Sequence, residues 1–483
     1  MISEPIAKEH YPVMSPVSSR PRTVVDVRAP FDGSLIATVD AAGTEVVEQS
    51  LATAYSLYRN RDGWLAPSRR METLKKAAAI MQERAELLAV EAAREGGKPL
   101  IDSRVEVARA IDGVLNCAEL LRSESGHVIP MNINTASLGR IAFTQREPIG
   151  VVIAVSAFNH PLNLIVHQVG PAIAAGCPII VKPADDTPLS CFRFVSILRE
   201  AGLPQEWCQA MVTEDTSITG QLVTDSRVGF FSFIGSAPVG WMLRSRLAPG
   251  CRCALEHGGA APAIVASDAD LDEAVTKLAK GGFYHAGQVC VSVQRIYAHR
   301  SIVEVFTNRL ACLARQLQVG DPTLPSTEIG PLIRHKEVTR VHQWVNEALN
   351  AGAKLVCGGQ APSASCYAPT VLFEPPDDCR VSTQEIFGPV VCVYAFDELD
   401  EAIARANSLQ FVFQAAIFTR DFATAMRAYT RLDASAVMLN DHTAFRVDWM
   451  PFAGLRQSGL GIGGIPYTFR DMQIEKLFIG PNN

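Results

Sequence analysis

Short apolar runs alternate with longer amphipathic segments along this chain. Residues 149–156 form a continuous β-branched run typical of a buried parallel strand, whereas residues 69–95 carry apolar side chains at helical spacing. Further strand-like runs follow at 178–181, 228–233 and 263–265, with helical segments between them. Strands that alternate with helices in this way predict a doubly wound α/β sheet.

The same pattern extends over most of the chain. Residues 138–145 alternate between apolar and polar positions like a half-exposed strand. Helices are predicted at 105–121, 164–175, 190–201, 239–247 and 272–284. Beyond position 290, strand-like runs resume at 295–299, 390–395 and 437–440. These runs predict a second α/β unit in the C-terminal half.

Composition narrows the classes of function. The chain has 483 residues, of which 48% are hydrophobic, and its net charge of −6 argues against nucleic acid or an anionic membrane as the main partner. No apolar stretch approaches the roughly 20 residues of a membrane span. We therefore expect no nucleic-acid partner and no membrane partner.

The cysteines also exclude some kinds of site. The chain has 12 of them, scattered and without any Cys-x-x-Cys pair, which predicts neither a zinc site nor a disulfide framework. The first 20 residues are rich in proline and serine, and they predict an extended or poorly ordered arm rather than a signal peptide. We expect a cytoplasmic protein without a bound metal.

Cys290 has a setting that differs from that of a core cysteine. It ends the sequence Gly287-Gln288-Val289-Cys290, on a glycine-containing turn between a helical segment and a strand, where its thiol can face a cleft. Two other polar residues are ambiguous when read alone. Asn159 suits a simple turn before His160-Pro161, and Glu256 suits a solvated loop.

The order of several short motifs resembles that of the aldehyde dehydrogenase superfamily over almost the whole chain. Each motif is weak alone, but all of them occur in family order. They are Phe158-Asn159-His160-Pro161, Lys182-Pro183-Ala184-Asp185, the turn at 233–240, Leu255-Glu256-His257-Gly258-Gly259, the Cys290 loop, Glu385-Ile386-Phe387-Gly388-Pro389, and Pro451-Phe452-Ala453-Gly454.

The resemblance implies oxidation of an aldehyde to a carboxylic acid with reduction of NAD(P)+. Cys290 would attack the aldehyde and form a thiohemiacetal and then a thioester. The amide of Asn159 and the backbone N–H of Cys290 would stabilise the oxyanion, and Glu256 would activate water. The alternative is a coenzyme A-acylating relative, although such relatives commonly lack the glutamate at position 256.

The resemblance also implies a site for NAD. Asp185 stands where many NAD-preferring members carry Glu, but its shorter side chain leaves NADP open as a second cofactor. No G-x-G-x-x-G fingerprint follows a predicted strand, as is usual in this family. The expected cofactor residues are Lys182, Asp185, Gly235, Ser236, Glu385 and Phe387.

The expected substrate residues are His160, Asn163, His167 and Arg446. This polar set, and the sequence from Phe445 to Phe452, are similar to members that oxidise lactaldehyde, glyceraldehyde 3-phosphate or semialdehydes. They favour a short polar or anionic aldehyde. The alternative is that Arg446 pairs with Asp448 or with the loops beside Glu256 and never meets substrate.

One departure from the family pattern affects the chemistry. Gly463 stands where many hydrolytic members have a second glutamate, which leaves Glu256 as the one obvious base. Smaller departures are Ala260, Gln168 and His285, at positions that are often Lys, Lys and Asn.

The fold implied by the resemblance is α/β, with a Rossmann-like cofactor domain, an α/β catalytic domain and a β oligomerisation extension. The expected cofactor domain covers residues 1–123 and 144–255, and the catalytic domain covers 256–450. The hairpin at 124–143 and the tail at 451–483, with a strand near 473–479, would join copies of the chain. We therefore expect a homodimer or homotetramer.

Overall fold

A computed structural model describes residues 9–16 and 23–482. Its first large sheet has six strands in the order β21-β11-β10-β6-β7-β8, parallel except for β21. These strands are β6 Val151–Val155, β7 Ile179–Lys182, β8 Cys208–Ala210, β10 Val228–Ile234, β11 Arg252–Glu256 and β21 Gly459–Leu460. Every side chain of β6 is buried, which matches the continuous apolar run in the sequence.

The second large sheet has seven strands in the order β14-β15-β16-β13-β12-β18-β19, and only β14 runs antiparallel to its neighbour. They are β12 Ala261–Val265, β13 Val293–His299, β14 Lys354–Cys357, β15 Thr370–Phe373, β16 Val390–Phe396, β18 Gln414–Phe418 and β19 Ala436–Leu439. The predicted α/β class and the predicted second α/β unit are both confirmed.

Helices flank both large sheets. They are α1 Thr44–Arg59, α2 Pro67–Glu83, α3 Ala85–Gly96, α4 Leu100–Ser123, α5 Asn163–Ala175, α6 Leu189–Glu200, α7 Thr216–Thr224, α8 Ala237–Arg244, α9 Leu271–Phe283, α10 Val303–Gln316, α11 His335–Asn350, α12 Arg380–Thr383, α13 Leu399–Ala406, α14 Phe422–Arg431 and α15 Ile465–Asp471. Each large sheet has its own buried hydrophobic cluster, so the molecule has two main cores.

Smaller sheets complete the fold. One joins β1 Glu9–Tyr11, β2 Val24–Arg28, β3 Leu35–Ala42 and β9 Val212–Thr213, and another joins β4 Val128–Ile129, β5 Arg140–Pro148 and β22 Gln473–Pro481. A short pair joins β17 Phe411–Val412 and β20 Leu455–Arg456. The strand expected near 473–479 is thus observed, and it pairs with β5 along its full length.

Two sequence-based expectations need correction or restriction. The single helix predicted over 69–95 is two helices, because Arg84 leaves the helical conformation at φ −104° and ψ 14°. The bend lets both α2 and α3 pack against α4, and an unbroken apolar spacing does not reveal it. Of the predicted N-terminal arm, Glu9–Tyr11 is an ordered strand, while residues 1–8 and 17–22 lie outside the described residues.

Within the described ranges, no helix is both long and apolar enough to cross a membrane. The same ranges contain no cluster of three or more His, Cys, Asp or Glu side chains that could hold a metal ion.

Candidate active site

A cleft of about 730 Å³ lies between the two large sheets and contains the sequence-predicted site residues. The strands β6, β7, β10 and β11 all end at it, and each contributes polar residues from its carboxyl end. Binding sites in parallel α/β sheets form at this edge because the loops there converge. The cleft therefore lies where the topology places a ligand.

Cys290 faces this cleft from a turn with unusual backbone geometry. His285, Ala286 and Gly287 have successive positive φ values of 48°, 53° and 71° between α9 and β13. A side chain at Gly287 would collide with the carbonyl oxygen of Gly388, so the turn needs glycine there. Such strained conformations concentrate at functional sites.

Burial controls the chemistry of the Cys290 thiol. Loss of solvation raises its pKa to about 12, and the nearby carboxyl groups of Glu256 and Glu385 act in the same direction. The guanidinium of Arg446 opposes this shift. Arg446 is thus the cation that favours the thiolate at this position.

Asn159 lies directly beside the loop that contains Gln288 and Cys290. It follows β6, and its Nδ2 donates a hydrogen bond of 2.8 Å to the backbone carbonyl of Gln288. The side-chain oxygen of Gln288 in turn accepts from the backbone N–H of Ile333 at 2.9 Å. These bonds hold the amide of Asn159 against Gln288, which lies two residues before Cys290 in the chain.

Glu256 ends β11 and is held against the C-terminal segment. Gly463 lies so near this carboxylate that a Cβ atom added there would collide with Glu256 Oε1. Burial raises the pKa of Glu256, and Arg446 lowers it. The absent second glutamate thus has a structural consequence, since glycine at this position makes room for the one carboxylate present.

One end of the cleft carries the residues expected to bind the cofactor. Lys182 Nζ donates to Asp185 Oδ1 at 2.6 Å, and Gly235 and Ser236 precede the first turn of α8. A helix N-terminus that opens onto a cleft presents N–H groups and a positive dipole end to an anion.

Glu385 and Phe387 lie further along the same cleft. Glu385 accepts a hydrogen bond from Gly259 N–H at 3.2 Å, and burial raises its pKa to about 8. Phe387 has φ 48° and packs edge-on against Phe158, with ring centroids 5.7 Å apart. A dinucleotide fits this part of the cleft, because a carboxyl group, a flat ring and a helix N-terminus lie along it.

The opposite end of the cleft holds the expected substrate residues. His167 Nε2 and Asn163 Nδ2 lie 2.7 and 3.3 Å from Oδ1 of Asp448. His160 instead packs near the rings of Tyr284 and His285, with centroids 6.2 and 6.3 Å away. The three residues therefore line one cavity but belong to two separate contact groups.

Arg446 is the fourth of these residues, and its side chain is nearly buried. Its Nη2 lies 3.4 Å from His167 Nδ1, and its guanidinium stacks 3.5 Å from the centre of the Phe452 ring. The nearest carboxylate atom, Asp448 Oδ1, is 3.9 Å from Nε, and Nε has no hydrogen-bond partner among the described residues. The ion pair considered as an alternative is therefore weak.

Sequence reasoning missed the role of two residues here. The sequence suggests Asp448 only as a partner of Arg446. In the structure, Nε and Nη2 of Arg109 donate hydrogen bonds of 3.1 and 2.6 Å to the Asp448 carboxylate. These residues lie 339 positions apart, so no local pattern could pair them. Gln288 was read only as part of a motif, although it anchors Asn159.

Comparison with known proteins gives a consistent result. Residues 17–477 match the family described as the Aldehyde dehydrogenase family. The chain is 38% identical to 3-sulfolactaldehyde dehydrogenase of Priestia aryabhattai over 444 residues, which are 92% of each chain. No similarity among these proteins supports the coenzyme A-acylating alternative.

Solved structures agree with this match. The fold superimposes with a TM-score of 0.94 on aldehyde dehydrogenase 21 from Physcomitrella patens in complex with its reaction product succinate, at 32% identity and 99% coverage of both chains. The glyceraldehyde-3-phosphate dehydrogenase of Methanocaldococcus jannaschii complexed with NADP gives a TM-score of 0.90 at 34% identity, covering 95% of this chain and 99% of that one.

Proposed function

Because the chain belongs to the aldehyde dehydrogenase family, we propose that it oxidises a short anionic aldehyde whose charged group binds Arg446. The enzyme is an NAD(P)-dependent oxidoreductase that converts an aldehyde to a carboxylic acid. The sulfo-aldehyde, succinate and phosphorylated aldehyde in the names of its relatives all carry an anionic group, which supports this class of substrate.

In the proposed mechanism, Cys290 is the nucleophile. Its thiolate forms a bond to the aldehyde carbon, and the carbonyl electrons move to the oxygen. The Cys290 N–H and the second N–H of the Asn159 amide, beyond the one bound to Gln288, stabilise this oxyanion. A bound NAD(P)+ would supply the hydride acceptor, and loss of hydride from the carbon held on Cys290 would leave a thioester on that residue.

Glu256 completes the reaction as a general base. It takes a proton from water, the hydroxide adds to the thioester carbon, and the Cys290 thiolate leaves with the C–S bond electrons. A base with a raised pKa suits this step, because it accepts a proton readily near neutral pH. The lack of a side chain at Gly463 leaves room for this carboxylate.

The cofactor residues have proposed roles that match their positions. Lys182 and Asp185 would bind the adenosine ribose, with Asp185 favouring NAD over NADP by repelling a 2′-phosphate. Gly235 and Ser236, at the start of α8, would face the pyrophosphate. Glu385 would bond the nicotinamide ribose, and Phe387 would pack beside the ring.

One observation carries the substrate proposal. Arg446 is nearly buried, has an unpartnered Nε, and lies close enough to affect the pKa of both Cys290 and Glu256. A buried cation without a full ion pair is costly unless a ligand completes it. An aldehyde with an anionic end a few atoms from its carbonyl would complete it.

The test is turnover of succinic semialdehyde and of neutral butyraldehyde by wild type and Arg446→Ala. We expect the ratio of the two kcat/KM values to fall about 10- to 100-fold in the variant, which is the worth of a hydrogen bond to a charged group. The matched control is Arg456→Ala, because Arg456 pairs with Asp433 outside the cleft. An unchanged ratio in Arg446→Ala would refute the proposal.

Three further features belong to the same proposal. The cofactor domain would cover residues 1–123 and 144–255, the catalytic domain 256–450, and the oligomerisation elements 124–143 and 451–483. The exposed β4-β5-β22 sheet supports a homodimer or homotetramer. A cytoplasmic location is supported by the cysteines, since every one within the described ranges is a free thiol.

A further inference from the structure

Asp448 lies behind the substrate end of the cleft and contacts several of its polar residues. Its side chain is only 2% exposed and does not line the cavity itself. Arg109, Asn163 and His167 all line the cavity, and all donate to this one carboxylate. Asp448 therefore holds the polar wall in place without meeting substrate.

Asp448 also influences the orientation of Arg446, through its contact with His167. His167 Nε2 lies 2.7 Å from Asp448 Oδ1, so that nitrogen carries the proton and donates it. The other ring nitrogen, Nδ1, is then free to accept from Arg446 Nη2 at 3.4 Å. Asp448 thus orients Arg446 through a neutral histidine.

The charges at this end of the cleft add up to a small positive number. Arg109 and Arg446 each contribute one positive charge, and Asp448, whose pKa is held well below its usual range by His167 and Arg109, contributes one negative charge. The buried His160 and His167 have lowered pKa values and are neutral near pH 7.

The other ionisable groups nearby change this balance little. Asp102 and Lys280 both line the cavity, and burial raises the pKa of Asp102 to about 6 against the attraction of Lys98 and Lys280. Buried Lys98 and Glu106 form a second opposite pair, with 2.5 Å between Nζ and Oε2. Burial raises the pKa of Glu256, and the guanidinium of Arg446 acts against this shift. The positive charge of Arg446 has only a distant carboxylate, since Asp448 Oδ1 is 3.9 Å from its Nε.

We propose that Asp448 is a specificity-determining residue that sets the accepted head group to a single negative charge. The preferred aldehyde then ends in a carboxylate or sulfonate, and a dianionic phosphate is disfavoured. This inference rests on the proposed binding of an anion to Arg446. The names of the relatives include carboxylate, sulfonate and phosphate compounds, and the inferred charge limit favours the first two over the third.

The physical reason is charge matching in a site with little water. A singly charged oxyanion neutralises Arg446, whereas the second charge of a phosphate has no cation left, because Arg109 is committed to Asp448 in a bidentate pair. An unpaired buried charge is strongly unfavourable, and the Asp448 carboxylate would repel it as well.

The first test measures kcat/KM for succinic semialdehyde, sulfoacetaldehyde, glyceraldehyde 3-phosphate and butyraldehyde. Wild type is compared with Asp448→Asn, Asp448→Glu and the surface control Asp433→Asn. We expect the preference for the singly charged aldehydes over the phosphate to fall at least tenfold in Asp448→Asn only. Asp448→Glu restores the charge and should restore the preference, which a purely structural role for the side chain would not predict.

Butyraldehyde turnover in each variant reports whether the fold and the chemistry survive. If Asp448→Asn keeps the wild-type preference while butyraldehyde turnover persists, the inference is wrong. The proposed function fails differently, since it fails when Arg446→Ala leaves the ratio of succinic semialdehyde to butyraldehyde unchanged.

A second measurement needs no variant. The wild-type enzyme is inhibited with propylphosphonate and with propane-1-sulfonate from about pH 6 to about pH 8, because a phosphonate gains its second charge near neutral pH while a sulfonate keeps one charge. We expect the inhibition constant of the phosphonate to rise several-fold relative to that of the sulfonate. A constant ratio across this range would overturn the inference.

Discussion

Arg446 and Glu256 act on the same thiol in opposite directions. The guanidinium stabilises the Cys290 thiolate, whereas the carboxylate and the loss of solvent oppose it. Burial raises the pKa of Glu256, and Arg446 opposes that shift as well. At the scale of single residues, one arginine therefore affects the pKa values of both the proposed nucleophile and the proposed base.

The raised pKa of Cys290 predicts how the free enzyme reacts with an alkylating agent. Because only the thiolate reacts, alkylation by iodoacetamide should accelerate about tenfold per pH unit from about pH 7 to pH 10, without a plateau. A cysteine in a model peptide levels off near about pH 8.5. Peptide mass spectrometry separates Cys290 from the other thiols, and a plateau of its rate below about pH 9 would contradict the assigned burial effect.

Gly463 gives a second prediction at this scale. In Gly463→Ala the new methyl group would displace the Glu256 carboxylate, so hydrolysis of the thioester should slow and kcat should fall about tenfold or more. A burst of NADH should then precede the steady state in stopped-flow absorbance. The control is Gly220→Ala in α7, where an added methyl group meets open space. A wild-type kcat in Gly463→Ala would show that Glu256 does not depend on this contact.

At the scale of elements, buried carboxylates fix the starts of the helices that lead into the site. Glu106 accepts the backbone N–H groups of Leu162 and Asn163 at 2.9 and 3.0 Å, where α5 begins just after Asn159. Its other oxygen pairs with Lys98, which is almost fully buried. Glu95 likewise accepts hydrogen bonds from the backbone N–H groups of Leu189 and Ser190, where α6 begins.

Glu106→Gln should therefore destabilise the enzyme strongly. It leaves Lys98 as a buried charge without a counterion, which costs about 3–5 kcal/mol of the free energy of unfolding. Thermal unfolding should show a drop of several degrees in the apparent midpoint. The control is Glu86→Gln, which breaks an exposed pair with Arg104 and should leave the midpoint nearly unchanged. Equal midpoints for the two variants would contradict the role of the buried pair.

The elements also show how far sequence reasoning reaches. The apolar runs of β6, β7 and β10 were predicted within two residues of their bounds, because buried strands require continuous apolar positions. The break at Arg84 was missed, since it leaves the apolar spacing intact. The residues proposed for catalysis were found through their motifs, but the Asp448 cluster depends on contacts between distant segments that no spacing encodes.

At the scale of the whole molecule, the β4-β5-β22 sheet is the surface most in need of a partner. Phe143 and Phe478 lie side by side on it, with ring centroids 5.1 Å apart, and are 40% and 53% exposed. Leu477 and Ile479 in the same strand are each 50% exposed. Exposed apolar strands of this length are normally covered by another chain.

A charge in this sheet should therefore shift the oligomer towards the monomer. We expect Phe478→Asp to reduce the molar mass measured by light scattering after size-exclusion chromatography. Phe422→Asp is the matched control, because Phe422 is 74% exposed on α14, outside the sheet. An unchanged mass for Phe478→Asp would show that this sheet does not join the copies.

The most direct test of the account is to trap the acyl group on the enzyme. The Glu256→Gln variant is mixed with NAD and succinic semialdehyde, quenched in acid, digested and examined by peptide mass spectrometry. We predict a succinyl thioester on the peptide that contains Cys290, formed together with about one NADH per active site. An acyl group on another cysteine, or NADH formation without any acyl-enzyme, would contradict the central claim.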